Sequence, residues 1–275
     1  MRNMTFEEKA KVHNSQYIDQ TDVRVKKPIV FFHHQNCNKR IFLPNNWILE
    51  SDKLETMMDT PNDVAIYSSI SFSHLNIAKE FHRKEIIPRK QSGFGSKTLL
   101  KPELTVYYNY FETIITAVIF AYSSIEAFAN ICIPLTYNYS YTNKGNNVVF
   151  KNKEKIERTV SLREKLKKIL PEIIGCQSPE MQKWWPIFTE LEDLRDEIIH
   201  CKESKSEDRY SKLLSTSIIK KVEVHKEVIE FFGNEISTRK KELLDEYPNG
   251  FGHDYYNVKK LSDVDYKKSI EEIGL

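Results

Sequence analysis

The chain is short of the residues that break regular structure: 8 Gly and 10 Pro in 275 positions leave little room for long loops. It is equally short of paired cysteine. Cys37, Cys132, Cys176 and Cys201 are scattered with no CxxC pair, which argues against a disulfide framework and a zinc ribbon, and makes the cytoplasm the simplest expected compartment. Net charge is nearly missing as well. At +2, the whole molecule does not announce a polyanion binder, so any affinity for phosphate has to come from local clustering. The opening stretch Met1-Arg-Asn-Met-Thr-Phe-Glu-Glu-Lys9 has neither an apolar core nor a small-residue cleavage site, and no ordinary secretory signal is expected there.

Three kinds of chemistry lack their residues. His33, His34 and Cys37 are close in sequence, but adjacent histidines on a strand point to opposite faces and no second ligand pair follows, so neither a metal nor a cofactor is expected. Gln91-Ser-Gly-Phe-Gly-Ser-Lys-Thr98 is Gly-rich without the spacing of a phosphate loop and reads as a hinge. No serine sits on a nucleophile elbow.

What is present is the composition of a soluble globular protein, 40% hydrophobic and 29% charged, long enough for one large domain or two modest ones. Thr113 to Leu135 is 23 residues with a single formal charge, about the length of a membrane span. Ser123, Ser124, Glu126 and Asn130 interrupt it, and a carboxylate near mid-membrane costs about 2.5 kcal/mol or more. A buried helix in a soluble bundle is the expected reading, with no membrane partner.

In chain order, residues 1 to 22 are polar, with a helical tendency over Phe6 to Val12. Pro28 to His34, Arg40 to Pro44 and Val64 to Phe72 are short β-branched and aromatic runs, expected to be strands of a small sheet. Ser73 to Phe81 is expected as a short capped helix, and Pro102 to Ile133 as the longest helix, closed by Pro134. Tyr137 to Asn147 reads as a polar loop bearing Tyr137, Tyr139 and Tyr141. From Lys144 to Lys168 there are nine Lys or Arg against three Glu. That run is either the solvated face of an amphipathic helix or a phosphate-tracking surface, with Lys144, Lys151 and Lys153 (and Lys202 further on) as RNA contacts and the loop tyrosines available for stacking. Pro179 to His200 is a helix with Trp184 and Trp185 near its start, Cys201 to Arg209 a charged loop, and Ser215 to Leu244 the last long helix, with His225 on its inner face.

The helix ending Arg195-Asp-Glu-Ile-Ile-His200 carries the candidate chemistry. Trp185, Phe188, Leu191, Leu194 and Ile198 form its apolar face. At roughly 100° per residue Asp196 and His200 share a face, whereas Arg195 lies about 140° from His200, so all three meet only through a loosened last turn or a second copy of the helix. Arg195-Asp-Glu-Ile-Ile-His200 resembles the Arg-x4–6-His signature of the HEPN superfamily. Tyr122 to Pro134 resembles that family's first long helix with its inward Glu and Asn, here Glu126 and Asn130, and Ser161 to Pro171 resembles the shorter helix before the signature helix. The resemblance covers roughly residues 103 to 245.

The expected fold is mainly α: a HEPN-type helical bundle over 101–246, which the resemblance implies, preceded by a small β-containing (α+β) region over 1–100 read from the strand-like runs, and followed by a tail over 247–275. The resemblance implies a homodimer in which two signature helices face one another, giving one cleft two Arg195 and two His200. The implied activity is metal-independent endoribonucleolysis to a 2′,3′-cyclic phosphate and a 5′-hydroxyl. Histidine suits the two proton transfers, and arginine suits the charge on the phosphorane. Asp196 would orient Arg195 or His200, and Glu126 and Asn130 would support the cleft. A toxin or antiviral role, with a cognate inhibitor or defence-system partner, is implied by the family alone. An inactive HEPN-like module that binds a nucleotide or a protein, and a structural helical protein with chance spacing, stand as alternatives.

Overall fold

The computed structural model describes residues 2–3, 20–26, 29–32, 40–43, 46–52, 54–92, 99–142, 145–201, 203–239 and 255–257. The expected helix at Phe6 to Val12, the histidine pair at 33–34 and most of the Gly-rich turn at 91–98 lie outside these. The protein is mainly α with a small β-containing region. It divides into two compact units, 1–65 with 245–275, and 66–244, where the sequence suggested 1–100, 101–246 and 247–275.

The first unit holds short antiparallel strands. β1 (Arg2–Asn3), β5 (Asn46–Ser51) and β6 (Leu54–Asp59) form one sheet in the order β1-β5-β6. β3 (Ile29–Phe32) pairs with β4 (Arg40–Leu43), as the apolar runs at 28–34 and 40–44 led one to expect. β2 (Gln20–Asp22) takes its partner from far along the chain, β9 (Tyr255–Asn257), in the register Gln20 to Asn257. The third expected strand, Val64 to Phe72, is instead helix: α1 runs from Asp63 to Phe81, with the Asn62 side chain accepting from the Ala65 N–H at 3.2 Å as its N-cap. The buried positions Val64, Ser68, Ser71, Leu75, Ala78 and His82 recur every three or four residues. Three of the inward residues are serines, Ser68, Ser69 and Ser71, so the helical period did not show as an apolar one. Small side chains there permit close approach to the next helix, where Ser71 Oγ donates to Ala117 O at 2.9 Å.

In the second unit α1 continues through a wide π turn, His82–Ile86, into α2 (Ile87–Ser92). The long helix α3 spans Lys101–Ile131, with Pro102 in its first turn and Glu103 accepting from the Leu100 N–H at 2.9 Å. After it comes a hairpin, not the expected loop: β7 (Asn138–Thr142) pairs with β8 (Val148–Asn152) around a turn in which Asn146 has φ +58°. α4 (Lys153–Thr159) and α5 (Leu162–Glu164) follow, each capped by its preceding Asn152 or Ser161 side chain. A second π turn, Lys165–Ile169, leads into α6 (Leu170–Ile174), which Gly175 ends at φ +79°. α7 (Trp185–Ile199) is the signature helix. The stretch expected as a charged loop, Cys201 to Arg209, ends inside helix α8 (Ser206–Leu214), and α9 (Ile218–Arg239) follows.

α3, α7 and α9 pack against one another in all three pairings, which makes α3 the centre of a bundle. Ile114, Val118, Ile125 and Phe128 of α3, Phe188 and Leu191 of α7, and Val228, Ile229 and Phe232 of α9 are all fully buried, and the Phe128 and Phe232 rings lie 6.5 Å apart, centroid to centroid. Each such side chain contributes about 1.5–3 kcal/mol by leaving water. Among the described residues α3 is the one helix long and apolar enough to cross a membrane, and 50% of its most apolar window is buried inside the protein. A polar tie joins α1, α3 and α8. The Tyr110 phenol donates its single hydrogen to Leu213 O, so the contact of 2.7 Å between His82 Nε2 and the phenol oxygen of Tyr110 needs the hydrogen on Nε2.

Candidate functional site

Tyr122, Glu126 and Asn130 sit at i, i+4 and i+8 on α3 and form a polar line along one side of it. At one end of the line, Tyr122 is buried beneath α7. The Arg195 guanidinium lies over its ring, 4.7 Å from the centroid, and Arg195 Nη1 donates to Asp196 Oδ1 at 2.9 Å. With 29% of its side chain exposed, Arg195 is partly desolvated, and the ring contact contributes about 1 kcal/mol. The Tyr122 phenol points to Glu192, one turn before Arg195, over a long 3.4 Å. Burial pushes the phenol's pKa up, reinforced by the Glu192 and Glu126 carboxylates and opposed by Arg195, so Tyr122 stays protonated at neutral pH. Glu192 is itself held by Arg163 of α5, Nε to Oε2 at 2.6 Å, while Arg163 Nη2 reaches Asp193 at 3.3 Å.

At the other end of the line stands a residue the sequence reading passed over. Lys165 was counted among the cations between Lys144 and Lys168, yet it is fully buried. Its ammonium donates to Asn130 Oδ1 at 2.8 Å and to Glu157 O at 3.1 Å. Burial lowers its pKa, against the pull of the Glu126 and Glu157 carboxylates. Lys165 opens the π turn, in which the Leu170 N–H reaches back to Lys165 O. A signal was there to find it: Lys165 lies three residues after Leu162 and four before Ile169, both buried, and so falls on the inner stripe. Glu126, half-buried, acts electrostatically on both Tyr122 and Lys165 and so lies between the two ends of the line.

His200 is placed apart. It is the C-cap of α7, with φ −95° and ψ 10°, and its N–H donates to Asp196 O at 2.9 Å. Its ring is exposed and makes no hydrogen bond among the described residues. Within one chain, then, the structure unites Arg195 with Asp196 and Tyr122, and leaves the imidazole outside that group. Of Asp196's two expected roles, the side chain performs the one toward Arg195 and makes no bond to the His200 ring.

The cations expected to meet RNA fare differently from one another. Lys153 is committed to structure, donating to Ile133 O at 2.7 Å and lying 3.6 Å from Glu157. Lys151 sits with its ammonium 5.2 Å from the Tyr141 ring centroid. Lys144 and Lys202 lie outside the described residues. Arg158, Lys167 and Lys168 pair with Glu154, Glu180 and Glu164, so much of the positive charge of this run is locally neutralised. Among the described residues no group of three or more His, Cys, Asp or Glu is placed to hold a metal ion. No protein family, curated protein or solved structure matches the chain.

Proposed function

We propose that this protein is a metal-independent endoribonuclease of HEPN type that works as a homodimer in the cytoplasm. The observation that carries the reading is the mounting of Arg195: its guanidinium rests on the Tyr122 ring and is steered by Asp196, five residues before an exposed imidazole. One bond to Asp196 leaves further N–H donors of the guanidinium for a phosphate oxygen.

In the reaction a His200 imidazole takes the proton from the ribose 2′-hydroxyl, and the oxygen attacks the adjacent phosphorus. The bond from phosphorus to the 5′-oxygen breaks, and that oxygen takes a proton from the His200 of a second copy. The products are a 2′,3′-cyclic phosphate and a 5′-hydroxyl. Arg195 from each copy stabilises the charge on the phosphorane, a contribution worth about 10²–10³ in rate per donor at comparable sites. Two copies are required because one chain supplies one imidazole, and acid and base must be present at once. A toxin or antiviral setting, with an inhibitor or other partner that keeps the enzyme silent, follows from the same resemblance.

The test is incubation of purified protein with total RNA in EDTA, comparing wild type with His200→Ala and Arg195→Ala. Cleavage that persists in EDTA and is lost in both variants is expected. A second reading, an inactive module that binds a nucleotide or a protein, draws on the existing Arg195 to Asp196 contact and on the favourable position of an imidazolium at a helix C-terminus. Absence of cleavage by wild type together with retained ligand binding selects it.

A further inference from the structure

The hairpin that replaces the expected loop has two unlike faces. Cross-strand partners share a face, so Tyr139 with Lys151 and Tyr141 with Val149 form one, and Ser140 with Phe150 and Thr142 with Val148 the other. The first face anchors the hairpin. Tyr139 is buried and donates to Glu164 at 2.7 Å, and Tyr141 stacks on it with centroids 5.8 Å apart. The second face has no such duty: Phe150 is 68% and Val148 57% exposed, flanked by the exposed Ser140 and Thr142.

We infer that this outer face is a stacking platform for an unpaired nucleobase, and hence that the RNA taken by the proposed nuclease is single-stranded where it is bound. The inference rests on the ribonuclease reading for the identity of the strand. Three observations carry it. Phe150 is mostly exposed, with hydroxyls of Ser140 and Thr142 on the same face that can donate to or accept from a base edge; exposed rings of this kind bind bases that have left their stack, which duplex RNA does not offer. From Asn138 to Asn152 the sequence has Lys144 and Lys151 and no Asp or Glu, and the Glu164 carboxylate bonded to Tyr139 belongs to the first face, not the outer one. The third is size. Two five-residue strands about 17 Å long and about 5 Å apart present a face on the order of 150–200 Å², against the roughly 800 Å² per partner of a stable protein interface. That area suits one or two bases.

The experiment measures binding apart from cleavage. Full-length His200→Ala protein is titrated into a fluorescent, unstructured RNA oligonucleotide and into the same sequence as a duplex, by anisotropy. The single strand is expected to bind about tenfold more tightly. Phe150→Ala is expected to weaken single-strand binding about tenfold, and Phe150→Trp to preserve it. Phe150 is exposed, and circular dichroism of each variant is expected to match the parent. If Phe150→Ala binds as the parent does while wild type cleaves RNA, the platform is wrong and the nuclease reading stands. If the parent binds no RNA and wild type cleaves none, both fall. Loss of a dimer in Phe150→Ala, seen by sedimentation with unchanged RNA affinity, makes the face a protein contact and overturns the inference.

Discussion

Arg195 and Lys165 mark the two ends of one polar line on α3, and they differ in what a substitution removes. Arg195→Lys keeps the charge but loses the planar fork that lies on Tyr122 and can grip phosphate with two bonds. Cleavage of a fluorogenic RNA is therefore expected to fall about 100-fold in Arg195→Lys, against little change in melting temperature. Equal activity in the two proteins would show that the guanidinium does not touch the phosphorane. Lys165 bears on stability. Because burial lowers its pKa below the ordinary 10.5, the unfolded chain holds the proton at pH values where the folded one has released it. Stability therefore rises with pH from the lowered folded value up to 10.5. Lys165→Met is expected to abolish that rise in urea titrations on the alkaline side, up to pH 10.5. At neutral pH its effect is small, because removing a buried charge offsets the loss of bonds to Asn130 and Glu157.

At the scale of elements, α9 carries a fully buried imidazole. Burial takes the His225 pKa from 6.5 to about 4, opposed by the bond to Val222 O at 2.7 Å, with Lys226 lowering it further and Glu223 raising it. As pH falls through 6.5 the unfolded chain takes up a proton that the folded one refuses, and the loss is complete below about 4. Acid denaturation in that window is expected to cost about 3 kcal/mol from this residue, and His225→Leu is expected to flatten that part of the stability profile. Elements with an apolar stripe were legible in sequence: α3 from Leu104 onward, α7 from Trp185 to Ile198, and α9 with His225 already on its inner face. Those whose inward or paired residues are polar were not. α1 hides its period behind Ser68, Ser69 and Ser71, and β7 alternates tyrosine with Ser and Asn, so neither showed the contrast that periodicity arguments require. The candidate site follows the same rule. Arg195, Asp196 and His200 are singled out by resemblance to a family signature, and Glu126 and Asn130 by resemblance of Tyr122 to Pro134 to that family's first long helix. Lys165 was missed because a buried lysine looks like a solvated one until the stripe it interrupts is traced.

For the whole molecule, the separation of His200 from the group around Arg195 makes the number of chains decisive. Sedimentation at micromolar concentration is expected to give the mass of two chains, and dilution to the single chain is expected to abolish cleavage in proportion. A fully active single chain would remove the reason for two imidazoles. The pairing of β2 with β9 has a consequence in time. Residues 20–22 leave the ribosome early, but their antiparallel partner is made only at 255–257. At roughly 5–20 residues per second, the early strand waits on the order of ten to fifty seconds, while the helices of 66–244 are synthesised in between. Translation order therefore lets the helical unit settle first, and the sheet that residues 20–22 join is completed only after that unit has been made.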